Sequence, residues 1–351
     1  MKTNRQKSIA AIRSLAAQDA RHSSAREPAI RCPVRQAPRP ASTSPGVRMI
    51  LVPFDFSSGS RLALRYAAPL ARRLGAKITL IYVDPIPHLA ARLRTKPPMP
   101  ADREADAAIS RELAELAAPE IGPAFQVDAV VRRGGMGEEI VKAARELRSD
   151  LILMPAHGHA EQQQQTPLGI TAEHVVHHAS CPVCTIRAEA VPKSAEPASG
   201  SMNWRHIVVP VDFSECSRQA VQLAGMVAKQ AGGRLTLFHV VELNEAHTSN
   251  ARLHLPQAHA RLRLDAKQKL QAWIEAEVPS MVPVTTLVRI GVPSPELIVR
   301  GIRLLGGDLI VMGKHEDSWM RRLAQGGEID QLARLTPCPV ISVHPDREDH
   351  P

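Results

Sequence analysis

The sequence predicts an α/β fold made twice over: two units, each a parallel five-stranded sheet with helices on both faces. Three observations predict it. Short apolar runs alternate with longer amphipathic segments from residue 48 to residue 344. Strands that read as unbroken Val, Ile and Leu runs are those buried on both faces, as in a parallel sheet between helices. The pattern also repeats. Pro53-Phe54-Asp55-Phe56-Ser57 matches Pro210-Val211-Asp212-Phe213-Ser214 at a spacing of 157 residues, Gly75 matches Gly232, and Gly134 matches Gly291. Asp150-Leu151-Ile152 matches Asp308-Leu309-Ile310, and Cys181-Pro182-Val183 matches Cys338-Pro339-Val340. Two copies make a tandem domain, not a solenoid. Finally, 351 residues with 44% apolar and 23% charged side chains leave room for two ordinary globular cores. Aromatics are only 3%, so those cores must be built from Val, Ile, Leu and Ala.

In chain order, Met49 to Asp55 reads as strand one. Ser57 or Ser58 can cap a helix that carries Leu62, Tyr66, Leu70 and Leu74 on one face and stops at Gly75. Ile78 to Val83 is strand two. After a Pro-rich loop, a helix is expected around Arg103 to Ala118, then strand three from Phe125 to Val131. Gly137 to Leu147 is a helix and Leu151 to Met154 is strand four; a helix from Gly169 to Ala179 and strand five from Pro182 to Ile186 close the unit. Residues 188–203 are a linker by composition. The second unit, 204–346, repeats the order: His206 to Asp212, a helix from Ser214, Leu235 to Val241, a longer helix from Pro256 to Glu277, and Val284 to Arg289. A helix starts at Ser294-Pro295-Glu296. Leu309 to Met312 follows, then a glycine-led helix through Ile329 and Leu332, and Pro339 to Val343; residues 347–351 are a tail. In such sheets a ligand sits beyond the carboxyl ends of the strands, where strand order reverses.

Charge is unevenly placed. Residues 1–46 hold nine Lys or Arg against two acids, +7 of the chain's +9, so the two units together carry about +2. The high pI describes a disordered basic tail, dispensable for folding, and not a groove for a specific nucleic acid. A transit peptide, or an upstream extension before a start at Met49, is an alternative reading of that tail. No apolar run approaches a membrane span. Five cysteines in 351 residues suggest a reducing, cytoplasmic setting.

Both units resemble the universal stress protein domain. The residues that carry the resemblance are strand-one P-x-D-x-S, the D-L-I-x-M fourth strand, the loop with His157-Gly158 or its remnant at His315, and the C-P-V fifth strand. It covers roughly 48–187 and 204–344. The resemblance implies a Rossmann-like fold of the adenine nucleotide alpha hydrolase-like type, with strand order 3-2-1-4-5. It also implies pairing through strand five, here formed internally as a pseudo-dimer, with a homo-oligomer of whole chains as a further partner expectation. Many members bind ATP, with the magnesium that accompanies it, through G-x-x-G, nine residues, then G-S or G-T. Glycines let the backbone approach phosphates, which the hydroxyl and helix N-terminus then hold.

Neither unit keeps that pattern. In the first, Pro155 replaces the leading glycine, ten residues separate Gly158 from Gly169, Ile170 takes the hydroxyl position and Thr171 comes one step late. In the second, Gly313 and Gly326 keep their spacing, but Glu316 replaces a glycine and Gly327 offers no hydroxyl. A carboxylate beside phosphate costs on the order of 4 kcal/mol per close charge pair, so the second unit is expected to be the weaker triphosphate binder. By resemblance Asp55 and Asp212 lie near ribose and adenine, with Val83 and Val241 nearby on strand two. Both acids fit a helix-entry cap equally well.

Other candidates carry less. Cys181-Pro182-Val183-Cys184 has redox spacing but enters a strand, where residues three apart face opposite ways. His174 and His178 have a metal-compatible spacing with no third ligand fixed, so no metal site is expected. Trp319 with Arg321 and Arg322 reads as a loop anchor beside a solvated basic pair. The expectation is a tandem, non-catalytic stress-response module that takes an adenine nucleotide. The alternatives are a slow ATPase in the same pocket, or an interaction protein with vestigial pockets acting through its pseudo-dimer surface or basic tail.

Overall fold

The chain folds as two copies of one strand-helix alternation, each built from local signals that recur at matched positions. The computed structural model describes residues 46–84, 100–121, 127–158, 168–187, 204–242, 255–291, 295–314, 336 and 338–344. Residues 1–45 of the basic tail, the linker, Glu316, Trp319, Gly326 and the helix expected after it lie outside the described residues; Val47, read as part of the tail, is buried in the core.

The first unit runs β1 (Met49–Pro53), α1 (Ser58–Leu74), β2 (Lys77–Asp84), α2 (Pro100–Ile121), β3 (Val127–Arg133), α3 (Met136–Glu146), β4 (Leu151–Pro155), α4 (Ile170–His178) and β5 (Val183–Ile186). The second runs β6 (His206–Val211), α5 (Glu215–Ala231), β7 (Arg234–Val241), α6 (Leu255–Glu277), β8 (Val284–Ile290), α7 (Pro295–Leu305), β9 (Leu309–Gly313) and β10 (Val340–Val343). Ser57 caps α1 by accepting the Ser60 N–H at 3.0 Å, and Ser214 does the same for α5 with Ser217 at 3.2 Å. Gly75 and Gly232 end those helices at φ 62°, a left-handed position glycine adopts without steric cost. Strand β3 runs past its last apolar residue to Arg133 because ladder pairing with β2 continues there, and β8 runs one residue beyond Arg289, to Ile290, paired with Val241 of β7.

The aspartates of the two D-L-I segments are joints at the amino ends of the strands. Asp150 Oδ2 accepts the N–H groups of Arg48 and Met49 at 2.8 and 2.9 Å, pinning the start of β4 to β1. Asp308 takes those of Arg205 and His206 at 2.8 and 3.1 Å.

All ten strands form one sheet, in the order β3-β2-β1-β4-β5-β10-β9-β6-β7-β8. Each half is parallel in the order 3-2-1-4-5. The halves meet antiparallel at β5 and β10, with Cys184 opposite Ile341. The two units therefore form an internal pseudo-dimer. On one face a single apolar core runs through both units, from Ile78, Leu80 and Leu113 to Leu235, Leu237 and Leu270, with Cys184 and Ile341 in it at the seam. The opposite face holds two separate clusters, one under α3 and α4 and the other under α7. Among the described residues no helix is long and apolar enough to cross a membrane.

Candidate functional site

The junction from β1 into α1 is a strained turn that aims Asp55 across the strand ends. Phe56 has φ 65°, left-handed for a non-glycine residue, which costs of order 1–3 kcal/mol. Two contacts hold it. Asp55 Oδ1 accepts the Ser57 N–H at 3.1 Å, and the Phe56 ring packs edge-on against Phe54 and Tyr82 at 5.4 and 5.6 Å. The second unit repeats this with Phe213 at φ 64°; there Asp212 Oδ1 accepts from Ser214 N at 3.0 Å, Ser214 Oγ at 2.6 Å and the Ser217 hydroxyl. Both acids thus brace the turn into the helix, while the N-caps themselves are Ser57 and Ser214.

Asp55 has a second aspect. It lines a cavity of about 230 Å³ beyond the carboxyl ends of the first unit's strands, on the α3 and α4 side. Pro53 and Phe54 of β1's end and Met154 to Ala156 at the end of β4 form its sides. Ile81 and Val83 of β2 and Ile140 of α3 are its apolar surface. Gly158, Gly169, Ile170, Thr171 and Ala172 complete it at the entry to α4, while Met136 stands at the start of α3. The structure thus brings together Asp55, Val83, Gly158, Gly169 and Thr171. A Cβ added at Gly158 would sit 3.4 Å from Asp55 Oδ2. Gly169 is the N-cap of α4 and supplies no side-chain cap; its own N–H donates to Ala156 O at 2.8 Å. The position between β1 and β4 is where strand order reverses, the usual ligand crevice of an open α/β sheet.

The second unit is described only in part. Asp212 and Gly313 are placed as above and below; Gly326 lies outside the described residues. Val241 corrects the sequence reading. Strand register matches Val83 with Val240, which packs with Ile298 and Ile302 on the face equivalent to the cavity, whereas Val241 packs on the other face. One residue of offset along a strand turns a side chain to the opposite side. Gly313 serves close packing: a Cβ there would lie 2.4 Å from the carbonyl carbon of Cys216 at the start of α5. In the first unit the equivalent strand end carries Pro155, and the helix position facing it is Gly59, whose added Cβ would lie 3.0 Å from Pro155 Cβ.

The universal stress protein family model matches residues 46–187 and again 203–344. The chain belongs to the universal stress protein family. Universal stress protein PHOS32 of Arabidopsis thaliana is 27% identical over 165 residues, covering 42% of this chain and 68% of that protein. Universal stress protein A of Salmonella typhi is 24% identical over 129 residues, covering 36% of this chain and 88% of its own. The crystal structure of a universal stress protein from Archaeoglobus fulgidus DSM 4304 matches in fold with a TM-score of 0.59 at 22% identity, covering 87% of this chain and 98% of that one.

In this universal stress protein the cysteine pair and the histidine group lie among the described residues, whereas Trp319, Arg321 and Arg322 do not. Cys181 and Cys184 are free and buried, and they belong to cores on opposite faces of the sheet. Burial pushes the Cys181 thiol up to about 12 and raises Cys184 as well, so neither is poised as a thiolate. His174 and His178 stack at 4.2 Å, with His178 Nδ1 2.8 Å from His174 O. His177 points to the other unit, its Nδ1 2.8 Å from Lys314 Nζ. Among the described residues no group of three or more His, Cys, Asp or Glu is arranged to hold a metal. Met136 and Ile140 are cavity residues that the sequence reading missed. The only signal for them was their place on the helix after strand three, and the crossover to β4 is what puts that helix over the site.

Proposed function

We propose that this universal stress protein is a non-catalytic binding module whose first unit holds an adenine-containing ligand. One observation carries the reading: the cavity at the strand-order reversal gathers Asp55, Val83, Gly158, Gly169 and Thr171 from four separate parts of the chain. Ile81, Val83, Ile140 and Met154 offer an apolar slot for a flat ring. The Asp55 carboxylate suits donors such as ribose hydroxyls or an exocyclic amine, and the α4 N-terminus with the Thr171 hydroxyl suits an acceptor. Hydrolysis would call for a base held over the phosphate chain. Among the described lining residues the only ionisable side chain is Asp55, and its Oδ1 is already engaged by the helix-entry turn. Four buried free thiols support a reducing, cytoplasmic setting.

The test is titration calorimetry of the full chain with adenosine, AMP and ATP, on wild type and on Gly158→Leu. Among the described residues only Asp55 Oδ2 comes within 4 Å of a Cβ added at Gly158, which lines the cavity, so a leucine there would project into the ligand space. At least one adenine ligand should bind saturably, and Gly158→Leu should weaken it tenfold or more. Binding of none, or binding indifferent to the substitution, would overturn the reading.

A further inference from the structure

The charge of the first unit's cavity bears on which adenine ligand would suit it. We propose, resting on the reading above, that it selects an uncharged nucleoside over a nucleoside polyphosphate. Among the described residues that line it, Asp55 is the one charged side chain, and it is an acid. The others are apolar or glycine, apart from the Thr171 hydroxyl. The sequence of the whole connection from Pro155 to Gly169 contains no Lys or Arg and one further acid, Glu161. The second unit's connection from Gly313 to Gly327 carries Lys314, Arg321 and Arg322 but also Glu316 and Asp317, so it too offers little net counter-charge to a phosphate chain.

What the first cavity has for an anion is the α4 N-terminus, equivalent to about half an elementary charge. A triphosphate would bring several negative charges close to a carboxylate in a site where apolar walls reduce screening. A nucleoside brings none, and its hydroxyls are donors that a carboxylate accepts. The residues at the mouth agree. Ile170 is 77% exposed and Met136 is 40% exposed, though both line the cavity. Ile170 stands on the helix N-terminal turn, where a hydroxyl would help bind phosphate; it instead presents apolar surface that the body of an uncharged ligand would cover.

The experiment compares adenosine and ATP by titration calorimetry on the full chain, its Gly158→Leu variant and its Asp55→Asn variant. The difference between wild type and Gly158→Leu isolates the first unit from any binding in the second. Adenosine should bind the first unit at least tenfold more tightly than ATP. Asp55→Asn keeps an oxygen to accept the Ser57 N–H but removes the charge, so it should narrow that preference at least threefold. Should ATP bind the first unit as tightly as adenosine, this inference fails while the adenine-binding reading stands. A preference unchanged by Asp55→Asn would overturn the electrostatic basis. No Gly158-sensitive binding of either ligand would remove both readings.

Discussion

At the scale of single residues, the informative contact lies where the fourth strand of each unit ends against the helix that follows its first strand. The second unit puts Gly313 on the strand and Cys216 on the helix; the first puts Pro155 on the strand and Gly59 on the helix. Each crossing has room for one side chain, and the two copies assign it to opposite partners. Pro155 is therefore half of a packing exchange as well as the residue where a phosphate-loop glycine is lost. Gly59→Cys should lower stability by about 1–3 kcal/mol, because its Cβ would meet both Pro155 Cβ and His157 O at 3.0 Å. Adding Pro155→Gly, which restores the second unit's combination, should recover a good part of that loss. Urea midpoints for the two single variants and the double variant measure the coupling directly. Strict additivity would mean that the two positions do not share a space.

At the scale of elements, β5 and β10 form the seam that turns two sheets into one. Only a few residues pair across it, and the seam gains from side-chain bonds: Ser342 Oγ donates to Val183 O at 3.2 Å and Thr185 Oγ1 to Val340 O at 3.4 Å. Cys184 and Ile341 face each other with 0% and 1% exposure inside the core common to both units. Cys184→Asp would bury a carboxylate there without an ionic partner and should cost about 3 kcal/mol or more, measured by denaturant unfolding. Because the core spans both units, wild type should unfold in one calorimetric transition and the variant in two. A variant with an unchanged midpoint would mean that the seam contributes little. Most of these elements were legible in the sequence because strands buried on both faces read as plain apolar runs, and the duplication gave each a second witness. Strand order was not legible from periodicity and came through family resemblance. At the site, Asp55 and the glycines were legible as punctuation at strand ends. Val241 was misplaced by a single step of pleat, and Met136 and Ile140 depended on which helix overlies the crevice.

At the scale of the whole molecule, the two units share a sheet and a core but differ in the histidines they carry on their matched strands. Repeat alignment sets Met49 against His206 and Tyr82 against His239. His206 is buried, its Nε2 2.8 Å from Thr236 Oγ1, and burial followed by the nearby Arg234 charge pushes its pKa down. His239 Nδ1 lies 2.7 Å from Val211 O, and its ring packs on Phe213 at 4.6 Å. Burial lowers its pKa too, with Lys269 acting in the same direction and Asp212 and the Val211 carbonyl against it. The sign follows from linkage. The folded state holds these imidazoles below the ordinary value of 6.5, so the unfolded chain binds more protons under acid conditions. Their contribution to stability is complete above about pH 6.5 and is lost as pH falls below it. His177, lowered by burial and by Lys314, adds to the same trend. Asp308 works the other way: burial raises its pKa from 3.8, so its contribution is lost as pH rises from that value. The urea midpoint of wild type should therefore fall between pH 8 and pH 5.5. The double variant His206→Met with His239→Tyr gives the second unit the first unit's residues at both places, and Asp308 remains in both proteins, so its effect largely cancels in the comparison. That variant should lose at least about half of the pH-dependent fall in midpoint. If its fall matches wild type, the acid sensitivity does not arise from the second unit's buried histidines.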